Sequence, residues 1–194
     1  DRKPGFDVRE TSDPTLQNWD PPHPAWRKPE GFWGVWAYWA PEVHEYKGKY
    51  YLFATFEAPG RARAVQVLAA DSPAGPFHVH SPEPLTPPEY FSLDGGLYVD
   101  KKGDPWMVYS REHISVGNGQ MRAMRLKPDL TAPAEPLEDI LLFKASSATY
   151  AAHWDRKEGG QGYLTDGPQM LRLKNGDLVM AWSTNNYLPR PIGW

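Results

Sequence analysis

The sequence predicts an all-β protein, a propeller of four-stranded antiparallel blades, and three observations support this. A strand–turn–strand pattern occurs three times, as WAPEVHEYKGKYYLFAT from Trp39, DGGLYVDKKGDPWMVYS from Asp94 and DGPQMLRLKNGDLVMAWS from Asp166. Apolar residues elsewhere recur mostly at a spacing of two, which is the period of a strand. The 21 Pro and 17 Gly residues interrupt almost every window that could form a helix. A repeated strand pair defines the architecture before any single motif is considered.

Each copy of the pattern has a Gly at its turn and a second, strongly apolar run that ends in Ser or Thr. The step from the first position to this Gly is nine residues in the first two copies and ten in the third. This register predicts that Trp39, Asp94 and Asp166 begin equivalent inner strands.

Two alternating runs follow each of the first two copies, so each of these repeats is expected to contain four strands. The predicted strands are 39–44, 49–56, 63–70 and 76–80, then 94–99, 105–111, 119–126 and 139–144, with 167–173 and 177–183 in the third repeat. A further outer strand is predicted at 11–20. Radial repetition fits the similar turns better than the alternative, a sandwich.

The expected organisation is one domain over residues 1–194. It consists of a blade remnant and linker (1–37), blades at 38–80 and 90–144, and a half blade at 166–194. A closed propeller has at least four blades. The chain is therefore expected to be an incomplete propeller, either an internal piece of a larger one or a compact relative that closes by association. Incomplete blade edges also favour self-association, through the 1–37 region or the 185–194 tail.

Composition excludes several functions. The net charge of −3 gives no electrostatic basis for binding nucleic acid or an anionic membrane. No apolar run is long enough to cross a bilayer, and the absence of Cys excludes disulfides and thiolate metal sites. The 9 Trp and 10 Tyr residues suit both a β core and the stacking of sugar rings. The residues leave the cellular compartment open.

Six segments, read together, resemble glycoside hydrolase family 43, the five-bladed propeller glycosidases. They are TSDPTLQNW, YWAPEVHEYKGKYYLFATF, ADSPAGPF, SLDGGLYVDKKGDPWMVY, LFKAS and TDGPQMLRLKNGDLVMAWS. They occur in the family's order and cover roughly residues 8–184. The resemblance implies an inverting glycosidase that cleaves arabinofuranosyl, xylosyl or galactosyl linkages of plant polysaccharides. It also implies secretion or a periplasmic location in a bacterium, and it allows a calcium ion on the propeller axis, although no cofactor is expected.

The family uses three carboxylates: a general base in an Asp-Pro context, an Asp that tunes the pKa of the acid, and a general acid in a Glu-Gly-Pro motif. The resemblance places Asp94 at the second position and Asp166 at the third. Because Asp166 is one methylene shorter than Glu, Glu112 at the end of the partner strand is the alternative acid. Two Asp residues that converge at inner-strand starts would raise each other's pKa, as an acid at neutral pH requires. Each could also be a simple turn residue.

The base has no evident counterpart. Asp13-Pro14 and Asp104-Pro105 are Asp-Pro pairs, but the first lies in the predicted outer strand and the second in a turn. Neither lies where the base belongs.

Five further residues are candidates for substrate binding: Trp39, Arg111, His113, His153 and Trp182. Trp39 begins its strand where the two Asp residues begin theirs, so it could form a sugar platform or belong to the core. Arg111, beside Glu112, could form an ion pair instead of binding a sugar. Glu42 and His44, like His78 and His80, are spaced to share a metal, but such pairs are more often hydrogen-bonded strand residues, and no metal site is predicted.

Three functions remain open from the sequence. The first is a glycosidase acting on an oligo- or polysaccharide. The second is a carbohydrate-binding or vestigial propeller without turnover, since the base is missing. The third is a structural fragment of a longer enzyme.

Overall fold

The computed structural model describes residues 4–185, and its regular structure is almost entirely β. Two short strands, β1 (Gly5–Val8) and β2 (His23–Arg27), pair antiparallel near the N-terminus. None of the helices in residues 4–185 is long and apolar enough to cross a membrane.

The predicted outer strand at 11–20 is wrong, because this segment is a loop between β1 and β2. The carboxylate of Asp13 accepts hydrogen bonds from the backbone and side-chain groups of Thr15 and Asn18, at 2.7–3.0 Å. These local bonds curl the backbone and compete with strand pairing.

The first four-stranded sheet, blade A, has its strands in chain order. They are β3 (Trp36–Tyr46), β4 (Lys49–Ala58), β5 (Arg61–Ala70) and β6 (His78–Val79). The β3–β4 turn has positive φ at Lys47 and Gly48 (50° and 79°), which is the backbone of a two-residue hairpin turn and requires a flexible residue such as Gly.

The second four-stranded sheet, blade B, also follows chain order. Its strands are β7 (Ser92–Val99), β8 (Pro105–Arg111), β9 (Gln120–Arg125) and β10 (Asp139–Lys144). A one-turn helix, α1 (His113–Val116), follows β8. The repeated four-stranded sheets confirm the predicted fold class.

Two hairpins complete the described chain. They are formed by β11 (His153–Asp155) with β12 (Gln161–Tyr163) and by β13 (Asp166–Arg172) with β14 (Leu178–Ser183). The first was not predicted. The second is the predicted strand pair of the third repeat, whose last residues, 186–194, lie outside the described residues, as do residues 1–3.

The core lies between successive sheets. One cluster joins blade A to blade B through residues such as Phe53, Val65, Met107 and Tyr109. A second joins the β1–β2 pair to blade A through aromatic residues that include Trp26 and Phe56. This face-to-face packing brings the first strand of each repeat, β3, β7 and β13, to a common edge, with β7 in contact with both others.

Candidate active site

Each first strand has a break in its pairing register near its start. The breaks lie between Trp39 and Glu42, between Leu93 and Gly96, and between Asp166 and Gln169. Bulges of this kind re-aim side chains and are common beside active sites. Asp94 lies inside such a break with a positive φ of 55°, a conformation that Asp tolerates better than most residues.

A Ser or Thr from the preceding repeat holds the start of the next first strand. The hydroxyl of Thr55, on β4, accepts a hydrogen bond of 3.1 Å from the backbone N–H of Asp94. The hydroxyl of Ser110, on β8, donates to the carbonyl of Thr165 at 2.9 Å and lies 2.7 Å from the Thr165 hydroxyl. All three residues are buried. Thr55 and Ser110 are the residues that end the apolar run of each repeat, so the repeat contained this signal, but sequence reasoning assigned it no role.

The structure brings Asp94 and Asp166 together, as predicted. One carboxyl oxygen of Asp94 accepts a 2.9 Å hydrogen bond from the backbone N–H of Gly167, and its side chain is hydrogen-bonded to that of Asp166. Burial, followed by the neighbouring Asp166 carboxyl, raises the pKa of Asp94 from 3.8 to about 8. A raised pKa favours the protonated form of Asp94 at neutral pH.

Glu112 lies beside Asp94 and Asp166, and these three side chains form the carboxyl cluster. Glu112 is only 5% exposed. Its two oxygens accept hydrogen bonds of 2.8 and 2.9 Å from one guanidinium nitrogen of Arg63. Burial raises the pKa of Glu112, the charge of Arg63 opposes that shift, and the negative charges of Asp166 and Glu57 add to it. Glu112 in turn raises the pKa of Asp94.

Arg63 links this cluster to an aromatic surface. Its Nε donates to Glu57 at 2.9 Å, and its guanidinium carbon lies 4.5 Å from the ring centre of Trp39. Trp39 remains 47% exposed, so part of its ring is free beside the carboxyls. This arrangement is compatible with the predicted sugar platform. Arg63 and Glu57 were missed from the sequence because they come from the β4–β5 hairpin, outside the repeated motif.

Two predicted substrate contacts lie elsewhere. The guanidinium of Arg111 donates to Asp139 at 2.8 Å and to the Tyr109 hydroxyl at 3.2 Å, and it stacks 4.0 Å from the ring centre of Tyr90. Arg111 therefore forms an ion pair, but its partner is Asp139 and not the adjacent Glu112, which binds Arg63.

Trp182 packs against Phe143 and Tyr150, at ring-centre distances of 4.9 and 5.8 Å, between β14 and the last strand of blade B. The structure therefore gives Trp182 a packing role between sheets and does not bring it into the carboxyl cluster.

The two predicted histidines separate as well. His113 lines a cavity of about 460 Å³ with Trp154, Leu164 and Asn185. Burial lowers the pKa of His113, and the charges of Arg156 and Arg63 lower it further, which favours the neutral ring. His153 is exposed and packs on Tyr163, with ring centres 5.5 Å apart.

None of the Asp-Pro pairs joins the cluster. Both oxygens of Asp13 accept bonds from their own turn, and Asp20-Pro21, a third pair that the sequence analysis overlooked, lies in the same exposed loop. Asp104 belongs to the β7–β8 turn, where its N–H donates to Asp100. That turn is at the other end of β7 from Asp94.

Where the inner strands meet, Glu42 and His44 lie 2.9 Å apart, and the Leu97 N–H donates to His44 at 3.1 Å. They border a polar cavity of about 350 Å³ with Gly96 and Gln169 among its other walls. Within residues 4–185 no group of three or more His, Asp or Glu side chains could hold a metal ion. Calcium also takes backbone carbonyl and water oxygens, so a calcium ion on the axis stays a prediction. The second pair with a spacing that suits a shared metal is His78 and His80. His80 is hydrogen-bonded, with its Nε2 2.6 Å from the Asp129 carbonyl.

Three carboxyl side chains, one of them with a raised pKa, therefore lie together at the edge where the first strands of the repeats converge. Residues 1–187 match the family described as glycosyl hydrolases family 43, and the chain belongs to that family. It is a family 43 glycoside hydrolase chain, as the sequence motifs predicted.

Three proteins are similar to this chain in sequence or in structure. An endo-arabinase from Bacteroides thetaiotaomicron is 37% identical with a TM-score of 0.84, over 94% of this chain and 63% of that one. An endo-1,4-beta-xylanase from the same organism is 25% identical with a TM-score of 0.68, over 95% and 56%. The extracellular exo-alpha-(1->5)-L-arabinofuranosidase ArbA of Cellvibrio japonicus is 28% identical over 109 residues, which are 52% of this chain and 30% of that protein. The chain thus spans less than two thirds of each.

Proposed function

We propose that this protein hydrolyses arabinofuranosyl linkages of arabinan-type glycans, with inversion at the anomeric carbon. The observation that carries the proposal is the placement of Asp94, whose pKa is raised to about 8, against Asp166 and beside buried Glu112. Glycoside hydrolysis needs a carboxylic acid that stays protonated near neutral pH to protonate the leaving oxygen. Two of the three relatives are named for arabinose chemistry, which supports arabinofuranosyl over xylosyl or galactosyl substrates.

The roles follow from the contacts. Asp166 is less enclosed by hydrogen bonds than Glu112, and it lies against Asp94, whose pKa is raised to about 8. We assign Asp166 as the group that delivers the proton to the leaving oxygen, and Asp94 as the residue that stores the proton and orients its partner. Arg63 occupies both oxygens of Glu112, so Glu112 acts as a nearby negative charge that raises the pKa of Asp94. Trp39 offers its exposed ring to the sugar.

An inverting reaction also needs a base that activates water on the opposite face of the sugar, and we assign no residue to that role. Within this proposal the substrate is an oligo- or polysaccharide. We also propose that the protein is secreted, because the curated relative is an extracellular enzyme.

The test is a panel of nitrophenyl α-L-arabinofuranoside, β-D-xyloside and β-D-galactoside, followed by α-1,5-linked arabino-oligosaccharides. Hydrolysis of the arabinosyl substrates, with an inverted anomer seen first by proton NMR, supports the proposal. The panel is repeated with Asp166→Asn, which should lose activity. The matched control is Asp177→Asn, which changes a carboxylate in the exposed β13–β14 turn. Binding of the oligosaccharides without turnover would instead favour a carbohydrate-binding propeller.

A further inference from the structure

The β11–β12 hairpin presents an aromatic residue, Trp154, for which the sequence predicted no role. Trp154 pairs with Gly162 across the hairpin, and its indole covers this Gly so closely that a Cβ there would overlap the ring. Successive strand residues point to opposite faces, so His153 packs on Tyr163 while Trp154 meets His113. The His113 and Trp154 rings are perpendicular, with centres 4.8 Å apart.

This pair of rings forms the wall between two clefts. The first is the cavity of about 460 Å³ already described, whose remaining walls are Leu164 and Asn185. The second, of about 380 Å³, is bordered by the same two rings and by charged residues of the hairpin, among them Asp155 and Arg156. The first cleft has a mainly apolar lining with few polar groups and a volume within the range of small-ligand sites, roughly 300–1,000 Å³.

The first cleft adjoins the carboxyl cluster. His113 directly follows Glu112 in the chain, and Arg63, which holds Glu112, is close enough to lower the pKa of His113. The hairpin is also fixed in place. The N–H of Gly119 donates to the Tyr163 carbonyl at 2.9 Å, and the N–H of Tyr163 donates to the Gly117 carbonyl at 3.0 Å.

We propose that the cleft between Trp154, His113, Leu164 and Asn185 is a subsite for a neutral sugar ring of the substrate, next to the residue whose bond is cleaved. An indole beside an apolar side chain suits the C–H face of a pentose, and the amide of Asn185 and the imidazole of His113 supply hydrogen bonds to hydroxyls. This inference rests on the proposed function for the identity of its sugar. It implies that affinity and rate increase with substrate length.

The experiment measures kcat/KM for α-1,5-arabino-oligosaccharides of two to five units, for the parent protein and for Trp154→Ala. The ratio of kcat/KM for the longest substrate to that for the shortest should fall by roughly tenfold, the effect of about 1.4 kcal/mol of lost binding. The matched control is Trp106→Ala. Trp106 bonds to Asp100 in the β7–β8 turn, at the far end of β8 from Glu112, about 20 Å away along the strand.

Because Trp154 also packs on Gly162, Leu164→Trp is the second variant. It fills the same cleft from another wall and should weaken binding without disturbing the hairpin pair. Calorimetric titration of arabinotetraose into Asp94→Asn protein, alone and combined with each variant, gives a readout independent of turnover. Binding that depends on Trp154 and Leu164 in a protein that hydrolyses nothing would keep the subsite and reject the proposed function. Hydrolysis with an unchanged length ratio and an unchanged Kd in both variants would keep the function and reject the subsite.

Discussion

Replacement of Arg63 by Met tests how the carboxyl cluster is stabilised. Arg63 donates one hydrogen bond to Glu57 and two to Glu112, with side chains that are 12%, 19% and 7% exposed in that order. Met matches the unbranched stem of Arg as far as its Nε position but lacks the guanidinium group and its charge. Removal of one partner from a buried ion pair costs about 3–5 kcal/mol, because the remaining charge stays buried without compensation. We expect the free energy of unfolding at pH 8 to fall by this amount.

The loss of unfolding free energy in Arg63→Met should depend on pH. Burial already raises the pKa of Glu112, and Arg63 opposes that shift, so the variant should have a still higher folded-state pKa at Glu112. A group whose folded pKa is raised contributes stability at low pH and loses it as the pH rises through that pKa. The deficit of the variant should therefore be smaller at pH 5, where Glu112 can take up a proton and needs no cationic partner.

The assay is urea unfolding at pH 5 and pH 8, followed by tryptophan fluorescence and circular dichroism. Arg61→Met is the matched control on the same strand, since Arg61 pairs with Glu83 at 3.0 Å where the side chains are 34% and 76% exposed. An exposed pair of this kind contributes at most about 1 kcal/mol. Equal losses in the two variants, or a deficit at Arg63 that grows on acidification, would refute the reasoning.

Three further predictions follow from the site and the edges. Asp94→Asn should lower activity by about 10²–10⁴-fold. Its stability relative to the parent should increase from pH 4 to pH 8, because over that range the parent must ionise a buried group whose pKa is about 8. Thermal melts across that range measure this difference in stability, and a difference that does not change with pH would contradict the prediction. Asp166→Asn should lose activity on unactivated arabinosides but regain it on a dinitrophenyl arabinoside, whose leaving group needs no protonation. If Glu112→Gln and not Asp166→Asn regains activity on that substrate, Glu112 is the acid. Within residues 4–185 β14 pairs only with β13, and its hairpin exposes apolar residues such as Leu171 and Leu178. These features should promote self-association, and light scattering that shows a monomer at high concentration would oppose this.

The strand at 11–20 shows where sequence reasoning failed on the fold. Its polar residues were compatible with a strand in a familiar motif, but the Asp13 carboxylate can satisfy the backbone and side chains of Thr15 and Asn18 locally. Local bonding of this kind does not depend on an alternating pattern, so periodicity could not reveal it. The β11–β12 hairpin was missed for a related reason, since strands of three residues are too short to show a period.

The sequence by itself determined the repeat. Alternating apolar residues, a turn Gly and a closing Ser or Thr recur at a fixed spacing, and these local properties specify β7 and β13 and set Asp94 and Asp166 at their starts. Only the tertiary structure decided what surrounds those carboxyls. Arg63 and Glu57 come to the site from the β4–β5 hairpin, and no period links them to Asp94. Their contact with Glu112 depends on how blades A and B pack face to face, and that packing sets the burial and the neighbouring charges that raise the pKa of Asp94.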